Sequence, residues 1–308
     1  MSDARPLVWL PFDATELGSP PQSLRYERFL PEEHDGLPPS ASEVELYVPA
    51  YRFCPADSEV IARLPRLRVV QTLTAGVDHV RPFVPDGVLL CNGRGIHDAS
   101  TAELAVGLML ASLRGIPGFV RSQDHGEWQP ILARSLADRS VLIVGYGAVG
   151  AGVEQRLAGF EVDVVRVARR AREGVHGFDE LHRLLPHADV VVLIVPVTVE
   201  TRGMVDRDFL ARMKDDALLV NVARGPVVDT DALVEALQTE RIHAALDVTD
   251  PEPLPEGHPL WRAPNLLISP HVGGASSAMW PRAYRLVREQ LERFATGEPL
   301  ANVMRGEY

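Results

Sequence analysis

Three ionisable residues of different chemistry, Arg224, Glu252 and His271, stand in the last third of the chain, each a short distance after a run of apolar residues. Apolar runs of this kind are typical of parallel strands that are buried on both faces. Because the carboxyl ends of parallel strands meet at one edge of an open α/β sheet, where such folds bind their ligands, we expect the three side chains to converge. The sequence therefore predicts one site that contains a cation, a carboxylate and a histidine.

These three groups suit the reduction of a 2-oxo acid and the reverse oxidation. Arg224 would bind the carboxylate and polarise the carbonyl, and His271 would donate a proton during reduction and accept one during oxidation. A carboxylate at Glu252, hydrogen-bonded to the ring, would favour the imidazolium form and fix its orientation. Each residue alone could equally be a loop cap or a solvated charge, so the prediction depends on all three occurring together.

Reduction also needs a hydride donor, and the middle of the chain contains a turn suited to a dinucleotide. An apolar run at residues 141–144 leads into a GxGxxG pattern, made of Gly145, Tyr146, Gly147, Ala148, Val149 and Gly150. The first glycine permits the tight turn, the second lets the backbone approach the pyrophosphate, and the third allows close packing of helix on strand. A glycine-rich turn without a ligand is the alternative.

The next predicted strand carries Arg166 near its end, about 20 residues after the first glycine, where an NAD site places a carboxylate on the ribose hydroxyls. Arg169 and Arg170 come soon after it. Guanidinium groups bind a phosphate by charge and by bidentate hydrogen bonds, so these arginines favour a 2′-phosphate and predict NADP, with NAD as the weaker cofactor. An arginine cluster that is only solvated is the alternative.

A parallel sheet is needed to position these residues. Non-alternating runs rich in Val, Leu and Ile predict its strands, with helical stretches between most of them: residues 141–144, 162–167, 190–195, 218–222, 243–248 and 266–268. The N-terminal third has strand-like runs at 7–10, 44–48, 67–73 and 88–91 and a helix near 57–64. We predict an α/β protein in which a doubly wound, Rossmann-type cofactor domain, residues 99–275, is inserted into a smaller flavodoxin-like substrate domain, residues 1–98 plus 276–308.

Two further helices are predicted from the spacing of apolar residues. Residues 101–114 are almost entirely apolar, as expected of a helix buried on all sides. We predict that this helix lies at a domain junction or at the interface of a twofold-symmetric homodimer. The last helix, about residues 276–295, has one apolar face made of Tyr284, Val287, Leu291 and Phe294.

The composition narrows the possible partners. With 308 residues, 46% of them hydrophobic, the chain can bury the cores of two domains. Its net charge of −11 argues against a nucleic-acid partner, because phosphate binding needs a concentrated basic face. No apolar run reaches the roughly 18 residues of a membrane span, which predicts no membrane partner and a cytoplasmic location.

The sequence has few residues suited to phosphoryl transfer, Schiff-base formation, disulfide bonding or metal binding. Lys214 is the only lysine and has no glycine cradle, which excludes a P-loop and disfavours a Schiff base. Cys54 and Cys91 are too few for a disulfide framework, and we interpret them as packing residues. We predict no metal site, since three histidines on or near one predicted helix lack converging carboxylates: His176, His182 and His187.

Three segments late in the chain, residues 219–225, 246–253 and 269–274, read LVNVARG, LDVTDPEP and SPHVGG. From about Leu64 to the C-terminus the sequence resembles the D-isomer-specific 2-hydroxyacid dehydrogenases, whose motifs of this kind carry the arginine, the glutamate and the histidine. The resemblance is strongest to NADPH-dependent glyoxylate and hydroxypyruvate reductases. It implies a small 2-oxo acid substrate, such as glyoxylate or hydroxypyruvate.

The resemblance also implies further contacts. Cofactor contacts are implied at Pro196, Val222, Ala223, Asp247 and Gly273, with the aspartate on the nicotinamide carboxamide. Substrate contacts are implied, in addition to the arginine and the histidine, at Thr74, Ala75, Gly76 and Asn92, with backbone amides meeting the carboxylate. Arg94, His97 and Trp128 receive no role, and which 2-oxo acid is accepted stays open.

Other functions are compatible with the same fold, because a fold does not determine a function. A non-catalytic dinucleotide-binding sensor or corepressor is the main alternative, and the presence of the arginine, the glutamate and the histidine argues against it. Oxidation of formate or phosphite is disfavoured, since the formate enzymes have glutamine where Glu252 stands. Phosphoglycerate oxidation is disfavoured because we expect no regulatory domain after the last helix.

Overall fold

The computed structural model describes residues 4–51 and 55–306. The chain forms two compact units, one made of Met1–His97 and Ser277–Tyr308 and the other of Asp98–Ser276, and each is built on its own parallel sheet. Cys54 lies outside the described residues. Cys91 is fully buried, and burial raises the pKa of its thiol to about 11, as expected of an inert packing residue.

The first unit contains a five-stranded parallel sheet in the order β2-β1-β3-β4-β5. This is the order of flavodoxin-like folds, as predicted. The strands are β1 (Leu7–Leu10), β2 (Arg25–Arg28), β3 (Val44–Tyr47), β4 (Val69–Gln71) and β5 (Leu89–Cys91). The helices are α1 (Pro55–Ala62) and, at the C-terminal end of the chain, α8 (Met279–Thr296).

Strand β2 is absent from the prediction. Its sequence, RYER, is mostly charged, and none of its residues is fully buried. It lies at the edge of the sheet and pairs only with β1. Because pairing with β1 rather than burial of side chains makes it a strand, it lacks the apolar pattern by which a buried strand is recognised.

Alternate residues of this sheet pack into separate apolar layers. Leu7 and Trp9 of β1 face one cluster, and Val8 and Leu10 face the other. Helix α8 covers the second cluster, with Val287 fully buried in it. The apolar face predicted for the last helix is therefore buried against the five-stranded sheet.

The second unit contains a six-stranded parallel sheet in the order β11-β10-β9-β8-β6-β7, which confirms the predicted Rossmann-type architecture. The strands are β6 (Ser140–Val144), β7 (Asp163–Val167), β8 (Val190–Leu193), β9 (Leu218–Asn221), β10 (His243–Leu246) and β11 (Leu266–Ile268). The strand order reverses at β6, which pairs with β7 on one side and β8 on the other. Ligands of open α/β sheets bind at the carboxyl ends of the strands around such a reversal.

Both faces of the six-stranded sheet are covered. Leu142 and Val144 of β6 pack into one apolar cluster, and Val141 and Ile143 pack into another. Burial on both faces explains why these strands read as continuous apolar runs. The helices of this unit are α2 (Asp98–Leu113), α3 (Ile116–Asp124), α4 (Ala148–Leu157), α5 (Leu181–Leu184), α6 (Arg207–Arg212) and α7 (Thr230–Gln238).

One face of the apolar helix α2 is buried within the second unit, whereas Glu103 and Gly107 are exposed and Leu104 and Leu110 are only partly buried. Its fully buried residues Ala102, Ala105 and Met109 share an apolar cluster with Val153 and Leu157 of α4 and with the sheet. Packing inside one chain therefore accounts for the buried face of α2. The predicted subunit interface on this helix stays a prediction.

Helix α3, which the sequence analysis missed, begins directly after α2. Together with the segment that follows, it carries six exposed apolar side chains, which we define as the α3 surface: Ile116, Phe119, Val120, Trp128, Ile131 and Leu132. Among residues 4–51 and 55–306, no single helix is long and apolar enough to cross a membrane. Helices α2 and α3 meet that requirement only as a pair, which is bent by 64°.

Candidate active site

The turn between β6 and α4 contains three glycines in different surroundings. Gly145 has a φ of 109°, and a Cβ there would lie 2.6 Å from the backbone of Ile194, which follows β8. A Cβ at Gly150 would lie 2.6 Å from the carbonyl oxygen of Gly145. The fold therefore requires the first and third glycines. At Gly147, the residue before α4, a Cβ would meet nothing within 4 Å, and this open space at a helix N-terminus fits a pyrophosphate.

Arg166 is held by another residue of the same unit. Its Nε donates to Oε2 of Glu154 at 2.8 Å, and its Nη2 donates to the other carboxylate oxygen. The Tyr146 hydroxyl donates to the same carboxylate, and the Arg166 guanidinium lies 5.7 Å from the centroid of the Tyr146 ring. The hydrogen bond from Arg166 lowers the pKa of Glu154, so the carboxylate stays charged and compensates the guanidinium. Arg166 thus holds the Tyr146 side chain of the glycine turn in place, through Glu154 and by its contact with the ring.

Two of the predicted phosphate ligands border a cleft after β7. Arg169 donates from Nη2 to Oε1 of Glu200 at 2.9 Å, and its Nε lies 2.8 Å from Oε2. Arg170 has no hydrogen-bond or ion-pair partner in the described part of the chain. Both arginines line a cleft of about 570 Å³, together with Glu200 and Phe178. A free guanidinium beside such a cleft is suited to an anionic ligand.

Arg172 is a residue that the sequence analysis missed. Its Nη2 donates to the carbonyl oxygen of Tyr146 at 2.7 Å, and its guanidinium lies 5.8 Å from the centroid of that ring. It reaches the glycine turn because Arg172 pairs with Val175 in a short antiparallel bridge. The sequence contains this residue as the third arginine of the run RRAR after β7. The run does not show, however, that the chain turns back towards the glycine turn.

Arg224, Glu252 and His271 follow β9, β10 and β11, which are neighbours in the sheet. Nδ1 of His271 is hydrogen-bonded to Oε1 of Glu252. The two side chains are 45% and 40% exposed, so the pair is accessible to a small ligand. Nε2 of His271 has no hydrogen-bond partner among the residues that the structure describes. The structure therefore brings the predicted glutamate and histidine together and leaves Nε2 of the ring without a partner among the described residues.

The charge of Glu252 is determined by its neighbours. Partial burial alone would raise the pKa of this carboxyl group, but the hydrogen bond and charge of His271 outweigh burial, with a smaller effect from the charge of Arg224. The pKa of Glu252 therefore lies below its ordinary value of 4.5. Glu252 is a carboxylate at neutral pH, and a carboxylate at this place favours the protonated ring.

Asp247, directly after β10, holds the loop that carries His271. Its carboxylate is 2% exposed and accepts a hydrogen bond from the hydroxyl of Ser269 at 2.6 Å. The amides of Val272 and Gly273 donate to the same carboxylate at 2.9 and 2.8 Å. These bonds stabilise His271 at a φ of 51°, a left-handed conformation that costs an L-residue about 1–2 kcal/mol. A carboxylate accepts about four hydrogen bonds, so the implied nicotinamide contact would be its fourth.

The turn that carries Arg224 is shaped by Asn221, another residue that the sequence analysis did not single out. Oδ1 of Asn221 accepts from the amide of Ala223 at 3.0 Å, and Nδ2 donates to the carbonyl oxygen of Arg224 at 3.0 Å. A Cβ on Gly225 would lie 1.9 Å from the carbonyl oxygen of Thr249. Only glycine permits this close approach between the loops after β9 and β10.

The other implied cofactor contacts also lie in the loops at the carboxyl ends of strands. One follows β8, two follow β9, and one lies in the loop after β11: these are Pro196, Val222, Ala223 and Gly273. A Cβ on Gly273 would lie 2.8 Å from Oδ2 of Asp247, so this glycine is required by the hydrogen bonding of that loop.

The residues implied in substrate binding lie in the first unit, after β4 and β5. Nδ2 of Asn92 donates to the carbonyl oxygen of Ala75 at 2.8 Å. The backbone amide of Gly93 donates to the carbonyl oxygen of Thr74 at 2.7 Å. The Asn92 side chain therefore holds the segment 74–76, which contains Gly76. Asn92 is a support for this segment as well as a predicted substrate contact.

The residues without an assigned role differ in their surroundings. His97 is buried, and its Nε2 is bonded to the carbonyl oxygen of Leu73 at 2.8 Å, so it belongs to the scaffold of the loop. Arg94 is exposed, and Trp128 in the second unit is 95% exposed.

The family model described as D-isomer specific 2-hydroxyacid dehydrogenase, NAD binding domain, matches residues 106–273, more than half of the chain. This chain belongs to the D-isomer specific 2-hydroxyacid dehydrogenase family. The matched region lies in the second unit and contains the glycine turn and the loops that carry Arg224, Glu252 and His271. The resemblance inferred from these segments is therefore confirmed.

Individual members of this dehydrogenase family are similar over most of their length. A glyoxylate reductase from Thermofilum pendens is 34% identical over 259 residues, covering 79% of this chain and 76% of the relative. A family member from Xanthobacter autotrophicus Py2, solved with NADPH and MES, has a TM-score of 0.81 at 31% identity and covers 98% of both chains. An NADPH-dependent glyoxylate/hydroxypyruvate reductase from Sinorhizobium meliloti, solved with NADP and sulfate, has a TM-score of 0.81 at 26% identity, with 97% and 98% covered.

Membership of this dehydrogenase family decides the class of activity. The chain is an NAD(P)-dependent oxidoreductase, as the sequence predicted. Relatives such as the Thermofilum pendens and Sinorhizobium meliloti reductases bear names of enzymes, which supports an oxidoreductase rather than a non-catalytic sensor or corepressor.

Proposed function

We propose that this dehydrogenase interconverts a small 2-oxo acid, such as glyoxylate or hydroxypyruvate, and the corresponding 2-hydroxy acid, with NADPH as the preferred reductant. The observation that carries the proposal is the hydrogen bond between His271 and Glu252 at the sheet edge that also bears Arg224. The names of the glyoxylate and hydroxypyruvate reductases among the relatives support the substrate class.

The three side chains have separate roles in this proposal. When bound, the nicotinamide supplies the hydride to the carbonyl carbon of the substrate or accepts it in the reverse direction. Arg224 binds the substrate carboxylate by charge-assisted hydrogen bonds and polarises the carbonyl. His271 donates a proton from Nε2 to the carbonyl oxygen, while Glu252 on Nδ1 keeps the ring charged and oriented.

The chain offers suitable residues for both phosphate regions of NADP. The glycine turn, residues 145–150, holds the pyrophosphate at the N-terminus of α4. Arg169, Arg170 and Arg172 bind the 2′-phosphate, and Arg166 contributes indirectly through its bond to Glu154. NAD lacks this phosphate and is the weaker cofactor. The NADPH and NADP in two of the related structures support this assignment.

The first unit is the substrate domain in this proposal. Residues 74–76 present backbone amides to the substrate carboxylate, and Asn92 supports them from the neighbouring loop. We also propose a homodimer, with the α3 surface in its interface, because these apolar side chains are exposed whereas much of α2 packs within its own unit. The cytoplasmic location stays a prediction from the sequence.

A panel of 2-oxo acids, followed by the loss of NADPH absorbance, tests the proposed activity. Formate, phosphite and phosphoglycerate with NADP and NAD are measured in parallel. We expect turnover with glyoxylate or hydroxypyruvate, and we expect His271→Ala to lower it by about 10² to 10⁴ while NADPH still binds. Full turnover in His271→Ala, or turnover with the other three compounds alone, would refute the assignment.

A further inference from the structure

A buried network of side-chain amides connects the C-terminal helix to the segment proposed to bind the substrate. Gln290 of α8 and Gln71 at the end of β4 are each 1% exposed. Nε2 of Gln290 donates to Oε1 of Gln71 at 2.7 Å, although 219 positions separate the two residues in the chain. Burying an amide side chain is unfavourable unless its polar atoms are hydrogen-bonded, so this pair needs all of its partners.

Gln290 also binds the backbone beyond its own helix. Its Nε2 donates to the carbonyl oxygen of Ala301 at 3.0 Å, and its Oε1 accepts from the amide of Ala301 at 2.8 Å. The chain then pairs antiparallel with the edge strand β5, where Val303 lies opposite Cys91. The end of α8 and residues 301–303 are therefore fixed to the edge of the five-stranded sheet.

From Gln71 the network continues to the loops after β4 and β5. Nε2 of Gln71 donates to the carbonyl oxygen of Asn92 at 3.1 Å. Nδ2 of Asn92 in turn donates to the carbonyl oxygen of Ala75 at 2.8 Å. A second branch comes from Asn302, whose carbonyl oxygen accepts from the amide of Asn92 at 3.1 Å and whose Nδ2 donates to the carbonyl oxygen of Arg94 at 3.0 Å. Both branches end on the loops that carry residues 74–76 and 92–94.

We infer that Gln290 is a positioning residue for the substrate, because through Gln71 and Asn92 it holds the backbone of residues 74–76. The inference rests on the proposed function, which assigns the substrate carboxylate to this segment. Residues 74–76 belong to no helix or strand. Besides the bond from the Thr74 hydroxyl to the carbonyl oxygen of Gly76 at 2.8 Å, their backbone is held by bonds from neighbouring loops, among them those from Asn92 and Gly93. Backbone amides bind an anion well only when they are held in place beforehand.

Gln290→Met tests the inference, since it keeps the length of the side chain and removes its hydrogen bonds. We expect KM for the 2-oxo acid to rise by roughly tenfold or more, because this factor corresponds to the loss of one charge-assisted hydrogen bond to the substrate carboxylate. KM for NADPH, which binds to the other unit in the proposed function, should stay within about twofold, and kcat should fall much less than kcat/KM.

Tyr26→Phe is the matched control. Tyr26 lies in β2, at the opposite edge of the same sheet, and its hydroxyl donates to the carbonyl oxygen of Pro21 at 2.8 Å. This variant loses a hydrogen bond of the same unit far along the strand order from β4 and β5. We expect a lower melting temperature with no change in KM for the 2-oxo acid or for NADPH.

Hydrogen exchange of the Gly93 amide gives a readout that needs no substrate. This amide is bonded to the carbonyl oxygen of Thr74 and reports whether the two loops stay together. We expect its exchange to be about tenfold faster in Gln290→Met and unchanged in Tyr26→Phe. Asn302→Gly is a milder second variant, because glycine adopts the φ of 55° found there and only the side-chain bonds are lost. It should change both readouts in the same direction by a smaller factor, and it decides the matter if Gln290→Met does not fold.

Unchanged KM for the 2-oxo acid together with unchanged exchange at Gly93 overturns the inference, even if the melting temperature falls. Failure of the proposed function looks different. In that case the unmodified protein reduces no 2-oxo acid, while the exchange experiment still shows whether Gln290 holds the two loops together.

Discussion

At the scale of single residues, the hydrogen bond between His271 and Glu252 determines, in the proposed function, which ring nitrogen carries the transferred proton. Because Nδ1 is bonded to the carboxylate, the proton for the substrate has to be carried on Nε2. The lowered pKa of Glu252 means that the carboxylate is ionised at every pH above about 4.5, its ordinary value. The charge beside the ring is therefore present throughout the neutral pH range.

Glu252→Gln removes this charge and keeps the size of the side chain. A carboxylate favours the protonated form of a neighbouring ring, and the neutral amide of the variant does not. Reduction consumes that proton, so activity is lost as the pH rises. We expect the alkaline limb of kcat/KM for reduction to move to lower pH by about one unit.

An exposed glutamate of the same loop, Glu256, supplies the control for this experiment. The pH profile of Glu256→Gln should coincide with that of the unmodified enzyme. If the alkaline limb of Glu252→Gln also stays in place, the carboxylate does not act on the transferred proton.

Cofactor preference is also decided by single side chains. Charge-assisted hydrogen bonds to a phosphate contribute about 1.5 to 3 kcal/mol each, so we expect kcat/KM with NADPH to exceed that with NADH by roughly 10². The double variant Arg169→Ala with Arg170→Ala should reduce this ratio by about tenfold or more, and Arg172→Ala should reduce it as well.

The comparison has to be made at one ionic strength, because salt weakens the phosphate contact selectively. Arg207→Ala removes an exposed arginine of α6, which pairs with Glu235, and it controls for the change of net charge. A ratio that is the same in all of these variants would mean that the arginines after β7 are only solvated.

At the scale of elements, the loop after β11 is held in shape from the neighbouring strand β10. Asp247 binds Ser269, Val272 and Gly273 and so fixes the residues on both sides of His271. The resemblance assigns Asp247 to the nicotinamide, whereas its bonds in this structure indicate a role in positioning the histidine.

Asp247→Asn separates these two roles. An amide group has only one oxygen, so at least one backbone amide of the loop loses its acceptor, at a cost of about 1–3 kcal/mol. If Asp247 acts mainly on the loop, the melting temperature and kcat fall while KM for NADPH changes little. Ser269→Ala removes one of the three bonds and leaves the carboxylate intact, so its effect should be smaller and in the same direction. A rise in KM for NADPH with unchanged kcat would support the nicotinamide role instead.

At the scale of the whole molecule, the α3 surface contains the two most exposed large apolar side chains among residues 4–51 and 55–306. Trp128 is 95% exposed and Leu132 is 103% exposed, an arrangement that is unfavourable in water and is typical of a surface covered by a partner. We expect sedimentation at micromolar concentration to show a homodimer. Phe119→Ser combined with Val120→Asp should shift it towards the monomer.

Val199→Asp controls for the introduction of a charge at an exposed apolar position, because Val199 is 86% exposed and lies outside the α3 surface. It should leave the sedimentation coefficient unchanged. A protein that is monomeric without any substitution would remove the homodimer from the proposal.

The sequence by itself determined those features that depend on local patterns. Continuous apolar runs revealed the strands of the six-stranded sheet, since burial on both faces leaves no polar alternation. The GxGxxG turn was recognisable because the fold excludes a side chain at fixed positions of the turn, as at Gly145 and Gly150. The approach of Glu252 to His271 could be expected because parallel strands deliver their following loops to one edge. By contrast, β2 and α3 were missed, since neither has a buried apolar pattern of its own.

Only the tertiary structure decided which distant side chains became partners. It showed that Arg166 is bound by Glu154, that Arg172 turns back to Tyr146, and that Gln290 reaches Gln71. It also showed that one face of α2 packs against α4 and that exposed apolar side chains lie on α3 and in the segment after it. The physical reason is the same in each case. A hydrogen bond or a packed contact requires atoms to meet within a few ångströms, and no local pattern records which residues, tens or hundreds of positions apart, the folded chain brings to that distance.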